Sequence, residues 1–84
     1  MTGKELAKED IDIVVDDDDM YYVLFSAGTD EAVCSVSKST KEIKDLYSLI
    51  GNDRVFDLLN DDKVIKHQSK KEIEEFKQFL LSFA

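Results

Sequence analysis

Proline is absent from this chain, cysteine and histidine occur once each, and glycine occurs three times. Each scarcity excludes something. A lone cysteine, Cys34, has no partner for an internal disulfide, which leads us to expect a reducing, cytoplasmic setting. One cysteine and one histidine cannot make a structural zinc cluster, and no metal or other cofactor is expected. None of the glycines stands in a phosphate-loop pattern, so no anion cradle is encoded. No apolar run approaches the roughly 20 residues that span a bilayer. No leader of charged, then apolar, then small residues opens the chain, so export is not expected. Basic residues are few as well: 11 against 19 acids, a net charge of −8. That balance argues against direct nucleic-acid binding and against an anionic membrane surface. Without proline or a Ser/Gly-rich linker, the 84 residues read as one domain. Its composition, 43% hydrophobic and 36% charged, is that of a globular protein.

The charge is unevenly distributed. Residues 1–31 hold ten acids and only Lys4 and Lys8, which gives −8, while residues 32–84 hold nine acids and nine bases, which gives zero. An even excess of acid explains no more than solubility. A one-sided excess creates a dipole that steers a basic partner toward one end.

The elements follow from periodicity. Residues 1–10 carry few apolar side chains beyond Leu6 and Ala7, so a frayed turn on a mobile arm is expected. Ile11 to Val15 is β-branched at four of five positions and reads as a strand. Asp16 to Asp19 reads as a four-residue turn, because adjacent carboxylates repel one another and need water. Met20 to Ser26 is the strongest strand signal. Ala27 to Glu31 is a five-residue turn in which Gly28 takes positive φ. Ala32 to Ser37 is the third strand. These loop lengths set Ile11, Ile13, Val15, Met20, Tyr22, Leu24, Ala32, Cys34 and Val36 on one face. Asp12, Val14, Tyr21, Val23, Phe25, Val33 and Ser35 fall on the other.

The remainder reads as helical. Ser39 and Glu42 form a capping box ahead of Ile43, Leu46, Tyr47 and Ile50, with Gly51 as the stop. Asn52 is positioned to cap a second helix holding Val55, Phe56, Leu58 and Leu59. Lys63 to His67 is either an extended connector or a fourth, edge strand. Ser69 and Glu72 form another capping box, ahead of Ile73, Phe76, Leu80 and Phe83, with Phe79 and Leu81 widening the apolar face. The fold class is α+β: a three-stranded antiparallel meander, with or without a short fourth strand, followed by two to three helices packed on the sheet.

Catalysis is not expected. Cys34 falls among apolar neighbours, where a thiol is inert, and His67 lies in a lysine-rich connector. The lysines near it face Glu74 and Glu75 at i, i+4 and read as a solvated helix face. Asp16 to Asp19 lacks the alternation, glycine and distant glutamate of a calcium loop.

Two surfaces remain for recognition. The acids Asp12, Asp16, Asp17, Asp18, Asp19, Asp30 and Glu31 can stand in for phosphates. Alternate residues on one strand face are about 6.5–7 Å apart. The expected function is therefore a small acidic, non-enzymatic protein-binding protein. It would occupy a basic, nucleic-acid-binding surface of another protein, as phage or mobile-element inhibitors do. The alternative is a regulatory interaction module that binds a partner or forms a homodimer through Tyr21, Val23 and Phe25. That outer face is too apolar to be left bare, so a helix, a second copy or a partner must cover it.

Overall fold

The computed structural model of the chain describes residues 1–28, 30–46 and 52–82. The elements run α1 (Gly3–Ala7), β1 (Asp10–Asp17), β2 (Met20–Ala27), β3 (Asp30–Ser37), β4 (Ile43–Asp45), α2 (Asp53–Asn60), β5 (Lys66–His67) and α3 (Lys70–Leu81). The fold is α+β, and β1 to β3 form the meander. Two short edge strands extend it to a five-stranded antiparallel sheet of order β4-β3-β2-β1-β5. Of the two alternatives for residues 63–67, an extended connector or an edge strand, Lys66–His67 form the edge strand β5.

Both hairpins are tighter than the sequence reading expected. Asp17 pairs with Met20 and Ala27 with Asp30, so each loop has two residues. The first loop residue has positive φ in each case, 41° at Asp18 and 69° at Gly28. Primed hairpin turns require this backbone, because their twist matches that of the flanking strands. Aspartate tolerates it better than most residues since its short polar side chain bonds locally.

The two corrections have different consequences. The first loop shortens by an even count, so Val15–Tyr22 and Ile13–Leu24 still share a face. The second register moves by one residue, and a one-residue slip turns a strand over. Cys34 therefore lies beside Val23, and Val36 beside Tyr21, on the face that the loop count had assigned to Val33 and Ser35. A bulge at Asp12 makes a third change. Ile11 pairs with Phe25 and Ile13 with Leu24, so Asp12 is the extra residue and Ile11 crosses to the Phe25 face.

Both faces of the sheet are covered. Ile11, Val14, Val23, Phe25, Cys34 and Val36 pack against Leu6 of α1 and Ile73, Phe76 and Leu80 of α3. Val15, Leu24 and Val33 pack against Val55 and Leu58 of α2. The result is a three-layer arrangement: α1 with α3, the sheet, then α2. The spacing of Ile73, Phe76 and Leu80 forms the expected stripe, and the Ser69–Glu72 box caps α3 with both of its hydrogen bonds.

Two local expectations are corrected. The N-terminal arm is docked: Leu6 is fully buried, and α1 carries its own capping box between Thr2 and Glu5. The Ser39–Glu42 box does not form. Residues 38–42 make the loop into β4, where Ser37 Oγ accepts from Thr40 N–H and Thr40 Oγ1 accepts from Glu42 N–H. Ile43 pairs with Val36 in place of opening a helix. Tyr47, Ile50, Gly51 and Phe83, to which helical roles were assigned, lie outside the described residues. Asn52 stands at the N-cap of α2 but makes no side-chain capping bond.

Candidate functional site

The acids expected to form one prong lie at two opposite ends of the meander. The Asp16 to Asp19 tract spans the β1–β2 tip. Asp12 lies five residues back along β1 from Asp17, about 17 Å at strand rise, and Asp30 and Glu31 lie at the far end, where Glu31 is level with Asp10 through Ser26, seven residues from Asp17 or about 24 Å. That separation is comparable to the longest dimension of the molecule, 31 Å.

The tract itself is half neutralised, and strand geometry explains how. Asp16 and Asp17 belong to β1, where successive side chains point to opposite faces. Asp16 faces the α3 layer and pairs with Lys38; Asp17 faces the α2 layer and accepts from Arg54 Nη2 at 3.0 Å. The hydrogen bond to Asp16 raises the pKa of Lys38, and the bond to Asp17 does the same for Arg54. Within the tract, Asp18 and Asp19 of the loop are the exposed acids without an ion pair among the described residues.

The far end is the less compensated one. Asp10, Asp12, Asp30 and Glu31 are all exposed, and none is ion-paired among the described residues. The bulge turns Asp12 toward β2, where Ser26 Oγ donates to Asp12 Oδ2 at 3.0 Å. Glu31 is the cross-strand neighbour of Ser26. Partial desolvation, a hydrogen bond with Asp12 and repulsion from its charge all raise the carboxyl of Glu31. Two carboxylates crowding across a serine, with no ion-pair partner for either among the described residues, indicate unbalanced negative potential.

The aromatic part of the expected surface separates. Val23 and Phe25 are buried beneath α1 and α3, so they are core residues and not contact residues. The apolar outer face, proposed as a binding or dimer interface, is covered by the chain's own helices. Tyr21 alone stays half-exposed. Its ring meets Phe76 edge-on at 5.2 Å and Phe79 at 5.8 Å, and Lys38 Nζ sits 4.7 Å from the ring centroid.

Composition could not reveal one feature beside Tyr21. His67 of β5 lies 2.7 Å from Glu72 Oε2 through Nδ1. That bond, with help from Ser69, lowers the Glu72 pKa to about 2. An ionised carboxylate only accepts, so Nδ1 carries the proton. The pair joins β5 to the first turn of α3. A groove of about 320 Å³ opens next to it, lined by Tyr21, His67, Glu72, Glu75, Phe76 and Phe79.

Cys34 is fully buried and its thiol is pushed up to about 12, chiefly by desolvation. It therefore stays protonated and is a poor nucleophile. Among the described residues no group of three or more His, Cys, Asp or Glu side chains is placed to hold a metal ion, and no helix is long and apolar enough to cross a membrane. Compared with family models, curated proteins and solved structures, the chain matches none.

Proposed function

We propose that the chain is a non-catalytic, acidic protein-binding protein. It occupies a basic surface of a nucleic-acid-handling protein in place of that partner's nucleic acid, as phage and mobile-element inhibitors do. The observation that carries this reading is the far end, where Asp10, Asp12, Asp30 and Glu31 are exposed and none has an ion-pair partner among the described residues. Natural surfaces usually intersperse both signs of charge, and a single-sign patch steers an oppositely charged partner. Asp18 and Asp19 provide a second, smaller acidic point at the tip. The two lie on one rigid sheet, so a partner that spans both meets them at a fixed separation.

The test uses two charge-neutralised proteins, D12N/D30N/E31Q and D18N/D19N, beside the wild type. Each is immobilised and exposed to lysate at low and high salt, with and without duplex DNA as competitor. The expected result is capture of nucleic-acid-binding proteins by the wild type, released by salt and by duplex DNA, and reduced most in the triple variant. Capture that ignores salt, DNA and the substitutions overturns the proposal.

A further inference from the structure

We infer that the groove between α3 and the β5–β1–β2 side of the sheet is a receptor for an arginine side chain of the basic partner; this rests on the proposed function and names the contact that anchors it. The groove is built from one helix face. Glu72, Glu75, Phe76 and Phe79 recur at i, i+3, i+4 and i+7 on α3, opposite Tyr21 of β2 and His67 of β5. Its volume, about 320 Å³, lies at the lower limit of ligand pockets and suits one long side chain better than a folded segment.

The chemistry of the lining selects a cation. Two carboxylates flank aromatic rings: Glu72, whose oxygens already accept from His67 and Ser69 and which contributes charge, and Glu75, which is left to accept from an incoming donor; no lysine or arginine is among the described residues that line the groove. Glu72 stays ionised down to about pH 2, so its negative charge is present at any physiological pH. Glu75 is exposed and has no hydrogen-bond or ionic partner among the described residues. Lys38 Nζ, held by Asp16, already lies 4.7 Å from the Tyr21 ring centroid, so that ring face is taken and an incoming cation is drawn by Glu75 and Glu72. Arginine fits better than lysine: a planar guanidinium lies against an aromatic ring and also presents a two-pronged donor to a carboxylate, which a spherical ammonium cannot do.

The experiment titrates isotope-labelled full-length protein with an oligoarginine peptide and with an oligolysine peptide of equal length, followed by NMR at physiological ionic strength. Arginine peptide is expected to move the signals of Tyr21, Glu75, Phe76 and Phe79 most, and to bind several-fold tighter than lysine peptide. Glu75→Gln, an exposed change that leaves the core intact, is expected to weaken arginine-peptide binding about tenfold, the size of one lost charge-assisted hydrogen bond. The variant D12N/D30N/E31Q is expected to weaken both peptides alike. Equal binding of the two peptides, or an unchanged affinity in E75Q, overturns the arginine groove; if the triple variant still loses affinity in that case, the basic-partner reading stands without it. Binding of neither peptide overturns the groove together with the reading it rests on. A second copy of the chain as occupant, seen as concentration-dependent shifts at the groove without peptide, overturns it as well.

Discussion

Replacing Leu6 by alanine separates a docked N-terminus from a mobile one. Leu6 is fully buried and belongs to the same cluster as Ile73, Phe76 and Leu80 of α3. Truncating a buried leucine costs about 2–5 kcal/mol, depending on how far the cavity collapses. An 84-residue domain has a total stability of about 4–13 kcal/mol at the usual value per residue, so the loss is a large share of what holds the fold. The upper bound is set by α1 itself. If removing Leu6 makes docking unfavourable, α1 undocks and the cost stops at its docking free energy plus the exposure of α3. Urea unfolding followed by far-UV circular dichroism reads the effect. With a slope of about 1 kcal/mol per molar urea, the midpoint falls by about 2 M or more. Leu81→Ala is the control: Leu81 is 46% exposed on the same helix layer, and its truncation costs less than about 0.5 kcal/mol. A Leu6→Ala midpoint within the error of the wild type would refute the docking argument and restore the arm as a bystander.

Three further outcomes follow from the charges. Glu31→Gln is expected to stabilise the protein at neutral pH by a few tenths of a kcal/mol, because Glu31 of β3 and Asp12 of β1 repel across Ser26 of β2; the raised Glu31 carboxyl favours the folded state only while protonated, so the advantage disappears in acid below about pH 4.5. Glu72→Gln acts with the opposite sign. The Glu72 carboxyl is depressed from 4.5 to about 2, so its contribution is full above about pH 4.5 and is lost as pH falls toward 2; the variant is less stable at neutral pH and shows a flatter acid limb in thermal melts. Lys38→Ala with Arg54→Ala frees Asp16 and Asp17 at little cost in stability, because solvent screens both pairs; if the tip contributes to capture of a basic partner, association at low salt becomes faster, and an unchanged rate assigns the contact to the far end alone.

Much of the architecture was legible because strong local signals agree with the global fold. Ser69, Glu72, Ile73, Phe76 and Leu80 specify α3 through a cap and a stripe that tertiary packing then uses. Met20 to Ser26 specifies β2 for similar reasons. The failures occur where one residue decides a parity. Gly28 was recognised as a positive-φ position, but it opens a two-residue loop, and the odd change in register turned β3 over. Glycine at the first loop position is itself the signal for that turn. Asp18 has the same backbone without a glycine to announce it, and the bulge at Asp12 has no local signature. Ser39 and Glu42 satisfy a helix cap on paper, yet Ile43 gains more by pairing with Val36 at the sheet edge and packing on the core.

The candidate site was the least legible part, for a different reason. Net charge counted along a segment does not locate that charge in space. Asp16 and Asp17 are neighbours in sequence, but a strand sends them to opposite layers, where cations from β3–β4 and from α2 neutralise one each. Asp12 and Glu31 are 19 positions apart, yet the meander sets them across Ser26, where neither has an ion-pair partner among the described residues. The sequence-adjacent acids are therefore the compensated ones, and the sequence-distant acids carry the potential. The same folding moves Val23 and Phe25 inside while leaving Tyr21 half-exposed, because Tyr21 lies opposite Asp16 near the strand end, where its ring meets Phe76 and Phe79 of α3 and Lys38. A hydroxyl-bearing ring at the margin of the core, with carboxylates on the helix beside it, arises from strand register and helix length together, and neither is visible in a count of residues.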